Sequence, residues 1–172
     1  MVSESKTIDL IKKTREYIDY IEEHVENVRK AWEELKVKCK DMSFICDDYR
    51  YFSIEDLVDR HDASKLSEEE FVRYRKYFYP TKEEEGTKRS LSKAFEHHKI
   101  ENDHHWQTWT EKEYYSPYSK EIFCVEMVLD WIAMGYKFGD TAKEYYEKNK
   151  DKIHLPVWAI NFIYEIFDNL NQ

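Results

Sequence analysis

From Thr7 to about Lys40 the apolar residues fall at Ile8, Ile11, Ile18, Ile21, Val25, Val28, Trp32 and Leu35. Those steps of three, four and seven describe one stripe of a long helix. A second, shorter helix is expected after Ser53, where Ser53 and Asp56 have capping-box spacing and Ile54, Leu57 and Val58 supply the apolar side. A third begins after Ser67, with Glu70 completing another capping box, and carries Phe71, Tyr74 and Phe78 up to Tyr79-Pro80. The charged stretch Lys82 to Lys88 contains Gly86 and reads as a surface loop. A fourth helix follows over roughly Ser90 to Lys99, with Leu91, Ala94 and Phe95 inward. Pro117 opens a fifth that runs through Ile122, Val125, Met127, Leu129 and Ile132 to a stop at Gly135. Asp140 caps a sixth with Tyr145 and Tyr146, and Pro156 opens a seventh with Val157, Ile160, Ile163, Ile166 and Phe167. No strand-like alternation, internal repeat or glycine-rich phosphate loop interrupts the series. The expectation is an all-α fold of about seven helices, one domain over residues 1–172.

Composition supports that expectation and removes several function classes. Only 3 Gly and 3 Pro occur in 172 residues, far below average usage, which favours long uninterrupted elements. Aromatic residues reach 16%, too many for a disordered chain. A formal net charge of -9 argues against a broad nucleic-acid surface, which needs a basic face. No apolar run approaches the ~18 residues of a membrane span, and the start, Met1-Val2-Ser3-Glu4-Ser5-Lys6, lacks the apolar stretch of a signal peptide. Cys39, Cys46 and Cys124 show no C-x-x-C spacing and read as reduced thiols, so a cytoplasmic setting is expected.

The candidate chemistry lies in the histidines and carboxylates. His24 sits between Ile21 and Val28 on their helical face, where a core histidine bonded to a carbonyl is the plain alternative to a ligand. His61-Asp62 ends a predicted helix, and Lys65 follows in His61-Asp62-Ala63-Ser64-Lys65. Asp130 lies amid Met127, Val128, Leu129, Trp131 and Ile132, with Glu126 four residues earlier on the same face. Either the two form an outward pair on an amphipathic helix, or Asp130 is inward and needs a partner or a metal. A His, a His-Asp pair and an Asp on three different helices can bind a divalent ion together. A second cluster, His97-His98 and His104-His105, has seven-residue spacing, so His97 with His104 and His98 with His105 share faces if one helix spans them. Neighbours differ by about 100°, so one member of each pair is the expected ligand.

Several stretches resemble a family of small phage and bacterial proteins known as a domain of unknown function. They are Glu23-His24 with Val28; Leu57 to Lys65 with Glu69-Glu70-Phe71; Lys76-Tyr77-Phe78; Ala94 to Trp106, with its HHxxxxxHHW element; and Glu126 to Gly135. The family resembles a divergent branch of the HD-domain metal-dependent phosphohydrolases. That resemblance implies an HD-like helical domain binding one or two divalent ions, with Mn, Fe, Mg, Co, Ni and Zn undistinguished. It implies metal ligation by His24, His61, Asp62 and Asp130, joined by ligands among His97, His98, His104 and His105, and a phosphate-side role for Lys65. One departure stands out: Glu101 and Asp103 surround Asn102 where the family often has a basic residue and a proline.

The function expected is hydrolysis of a small phosphorylated molecule, a nucleotide or related phosphoester, with Arg60, Arg89 and Lys93 as further phosphate candidates. The alternatives are a di-iron oxygenase of HD type and a non-enzymatic phage protein that sequesters a nucleotide or a host partner.

Overall fold

The computed structural model describes residues 5–110 and 112–171. The leading Met1–Glu4, expected to carry no signal peptide, lies outside the described residues. Among the described residues the chain is all-helical, with nine α-helices, one 3-10 turn and no strand. The order is α1 (Lys6–Lys38), α2 (Ser43–Cys46), α3 (Asp48–Asp59), the 3-10 turn (Ala63–Leu66), α4 (Phe71–Phe78), α5 (Lys88–Glu101), α6 (Trp106–Thr110), α7 (Pro117–Phe138), α8 (Ala142–Asn149) and α9 (Val157–Leu170). The two elements beyond the expected seven, α2 and α6, span four and five residues. Helices that short are too brief to show a 3.6-residue period. Among the described residues, no helix is long and apolar enough to cross a membrane.

The contacts divide the chain into two compact units, Met1–Glu23 with Asp62–Asn102, and His24–His61 with Asp103–Gln172. In the first, Tyr17 and Ile21 of α1, Tyr74 of α4 and Ala94 of α5 are buried. The Tyr17 ring lies 5.2 Å from Phe71 and 5.9 Å from Tyr79. A strap after α4 is tied back where Arg75 forks onto Glu84, each nitrogen–oxygen distance being 2.5 Å. In the second unit, Val28, Trp32 and Leu35 of α1 join a core with Phe44, Ile54, Trp109, Leu129, Ile163 and Phe167. Helix α7 is the centre of that core, with ten of its residues buried from Ile122 to Ala133.

Several local expectations shift for identifiable reasons. Ser53 is no cap: α3 starts at Asp48, and Asp47 caps it by accepting from Arg50 N at 2.9 Å. The stop after the fifth predicted helix is Gly139, in the left-handed region at φ 85, and not Gly135. Gly135 instead permits a close approach, since a Cβ there would stand 2.2 Å from Asp140 O. Thr141, not Asp140, caps α8, through a reciprocal box with Glu144. In the stripe of α1, Ile21, Val28, Trp32 and Leu35 are buried and Val25 is half-buried, but Ile8, Ile11 and Ile18 are exposed.

Candidate metal centre

In the unit built from His24–His61 and Asp103–Gln172, three predicted ligands come together. His24 projects from α1, His61 follows the end of α3, and Asp130 projects from α7. His24 Nε2 lies 3.3 Å from His61 Nε2 and 3.1 Å from Asp130 Oδ1, with His61 Nε2 3.9 Å from the same oxygen. The three donor atoms all fall within 4.8 Å of one another, so the group can hold a metal ion. His24 and His61 are buried, and the Asp130 side chain is 23% exposed.

Glu126 sits behind this group. One turn before Asp130 on α7, it is buried, and Oε1 lies 3.1 Å from His61 Nδ1 and 3.5 Å from His104 Nδ1. An ionised carboxylate only accepts, so the contact places the proton of His61 on Nδ1. His61 Nε2 is thereby left with its lone pair toward His24 and Asp130, the carboxylate–histidine arrangement that orients metal ligands. Burial pushes the Glu126 carboxyl up, but the His104 and His61 hydrogen bonds outweigh it and hold the group at about 2. Burial likewise raises the Asp130 carboxyl, while the His24 hydrogen bond and the nearby imidazoles carry it well below the usual carboxylate range. Glu126 Oε2 is buried without a hydrogen bond, an acceptor that a cation or its water would satisfy. The donor chemistry, the enforced tautomer and this orphaned oxygen fit a divalent ion.

A family model described as a family of unknown function, DUF5662, matches residues 13–168. The chain belongs to that family. No curated protein and no solved structure matches it. Every predicted site residue of this DUF5662 chain lies inside the matched span.

The His104 ring stacks on His61 at 4.4 Å, and His105 lies 4.3 Å from His104. Asp62 follows His61 directly in a left-handed conformation at φ 59, rare for a non-glycine residue and more accessible to Asp than to most. Its carboxylate belongs to the unit of Met1–Glu23 and Asp62–Asn102, where Oδ2 accepts from Lys65 Nζ at 2.5 Å and Oδ1 lies 3.2 Å from His98 Nε2. Burial pushes the His98 imidazole down, but hydrogen bonds to Asp62 and Glu70 outweigh it and raise its pKa. His97 is partly exposed and bonded to Glu70 at 2.7 Å. Arg60, a phosphate candidate, pairs with Asp56 at 2.9 Å.

The condition that one helix carry all four later histidines is not met. Helix α5 ends at Glu101, and Asn102 is extended. The Asn102 side chain donates to His98 O at 2.8 Å and to Ser64 Oγ at 2.7 Å, the local side-chain bonding with which asparagine competes against helix. Two functional carboxylates were also undervalued in sequence. Glu126 showed only its helical phase with Asp130. Glu70 matched a capping box, yet it makes no cap bond and is fully buried.

Proposed function

We propose that this chain is a metal-dependent phosphohydrolase or phosphodiesterase acting on a small nucleotide or related phosphoester, built on a divergent HD-like helical frame. The observation that carries the reading is the convergence of His24 Nε2, His61 Nε2 and Asp130 Oδ1 with Glu126 on the far nitrogen of His61. Two imidazoles and one carboxylate leave positions open for water and substrate, as catalytic sites require. His24, His61 and Asp130 would hold a divalent ion there, which would supply a water acidified toward about pKa 7 as the nucleophile for P–O cleavage. The protein's own part is to keep His61 in the Nδ1-protonated form through Glu126 and to keep Asp130 ionised. The order His, His-Asp, Asp, from α1, the end of α3 and α7, supports the HD-like assignment. Lys65, given the phosphoryl contact by the same resemblance, has its ammonium oriented by Asp62.

The same donor set, two histidines and a carboxylate, also suits non-haem iron, which makes an oxygenase the second reading. Metal analysis with a visible spectrum, then a hydrolysis panel of mono-, di- and cyclic nucleotides on the metal-loaded protein, separates the two. The proposal expects turnover in that panel. His61→Ala should lose metal and activity together. Lys65→Ala should keep metal and fold while turnover falls about 10²–10⁴-fold, as for a lost general acid. A fully loaded protein that hydrolyses none of the panel refutes the hydrolase.

A further inference from the structure

Glu70 occupies the residue before α4, where local sequence would use its carboxylate to cap the helix. It does not cap. The side chain is 0% exposed, and both oxygens turn to histidines of α5. Oε1 lies 2.7 Å from His97 Nδ1 and Oε2 lies 2.9 Å from His98 Nδ1. All three residues belong to the unit of Met1–Glu23 and Asp62–Asn102.

A buried carboxylate without donors is costly, and a carboxylate cannot donate when ionised. Burial does push the Glu70 carboxyl up, but hydrogen bonds from His98, His97 and Ser64 outweigh it and lower its pKa. Each imidazole must therefore carry its proton on Nδ1. Ser64 Oγ, 3.1 Å from His98 Nδ1, is a second acceptor at the same edge of that ring, while the Asn102 amide spends its two hydrogens on His98 O and Ser64 Oγ. The opposite nitrogen, His98 Nε2, lies 3.2 Å from Asp62 Oδ1.

We infer that Glu70 is a positioning residue: one carboxylate accepts hydrogen bonds from the Nδ1–H of both His97 and His98, and so fixes Nε2 as the nitrogen each ring presents to a ligand. For His98 this sets Nε2 beside Asp62 Oδ1 as paired donors to a divalent cation, a clause that rests on the metal reading above. The Nδ1 proton is common to the neutral and the charged forms of His98. A cation competes only for Nε2.

The test uses Glu70→Gln. Glutamine has one accepting oxygen and one donating amide. It can satisfy a single Nδ1–H and must meet the other ring as a donor. Long-range proton–nitrogen correlation spectra of the metal-free wild type should show protonated Nδ1 in both His97 and His98. In Glu70→Gln one of the two should become unprotonated, while Glu70→Asp should keep both. An unprotonated Nδ1 in either wild-type ring overturns the inference even if the glutamine variant fails to fold. A second arm titrates Co²⁺ alone in a His24→Ala background, where the other centre is disabled. Adding Glu70→Gln should weaken binding about 10–100-fold, the usual effect of losing an orienting carboxylate. Unchanged affinity overturns the positioning role. A background that binds no Co²⁺ removes the metal clause, and the ring-proton spectra then decide Glu70 by themselves.

Discussion

Replacing Glu126 with glutamine removes a charge from behind His61 without removing atoms. Glu126 is buried on α7, and its Oε1 accepts from His61 Nδ1 at 3.1 Å. Glutamine keeps an accepting oxygen, so the fold and the tautomer survive, but the charge assistance to the bond is lost. Orienting carboxylates of this kind are worth about 10–100-fold in metal affinity, or about 1.4–2.7 kcal/mol. A bound ion at about 1,000 times its Kd stabilises a folded protein by about 4.1 kcal/mol. At the same ion concentration the variant should keep about 1.4–2.7 kcal/mol of that. For a chain of 172 residues, each kcal/mol moves Tm by about 2–4 °C. The ion-dependent rise in Tm should therefore shrink by about 3–11 °C. Differential scanning calorimetry with Mn²⁺ or Co²⁺, against the same protein in chelator, reads this difference directly. His154→Ala is the control, since His154 packs on Trp106 at 5.5 Å and touches none of the three donors. An equal ion-dependent rise in wild type and Glu126→Gln, or a matching loss in His154→Ala, refutes the placement of Glu126 behind a metal ligand.

Other expectations are independent of the metal. Glu84 is held at about 2, below the ordinary glutamate value of 4.5, chiefly by the Arg75 hydrogen bonds. Its folded pKa is depressed, so the pair's stabilisation is complete above about 4.5 and fades as pH falls toward 2. Glu84→Gln should cost about 1.5–3 kcal/mol near neutral pH, and urea melts of wild type and variant should converge in acid. A difference that persists at the lowest pH would contradict this. Gly86→Ala should destabilise by about 1–3 kcal/mol, because its Cβ would stand 2.4 Å from Tyr77 Cα and 2.6 Å from Lys76 O. Both are backbone atoms with nowhere to move, and an unchanged melting curve would show that the strap does not press on α4 there.

The seven longer helices are legible because each carries its own evidence. Burying one face of α1 or α7 requires apolar residues at 3.6-residue spacing, and few glycines or prolines interrupt the chain. Pro117 at the start of α7 is likewise a local signal written in neighbouring residues, whereas the cap of α8 is Thr141, one residue beyond the expected Asp140. Residue type, order and the family resemblance offered His24, His61, Asp62 and Asp130 as one candidate set. Their distances were not readable, since 106 residues separate the first from the last. Whether Asp130 faced in or out was undecided along the chain, because Glu126 and Asp130 on one helical face suit solvent or a buried partner equally. Packing of α7 among α1, α3 and α6 resolved Glu126 inward, where only histidines could satisfy it. Glu70 shows the same limit more sharply. Its spacing from Ser67 announces a cap, but the histidines of α5 lie 27 and 28 residues away in sequence and outbid the helix end for its carboxylate. Local spacing dictates which backbone groups a side chain can reach. Which partner it takes depends on what tertiary packing brings within hydrogen-bond distance, because a buried charge goes to the strongest donors available.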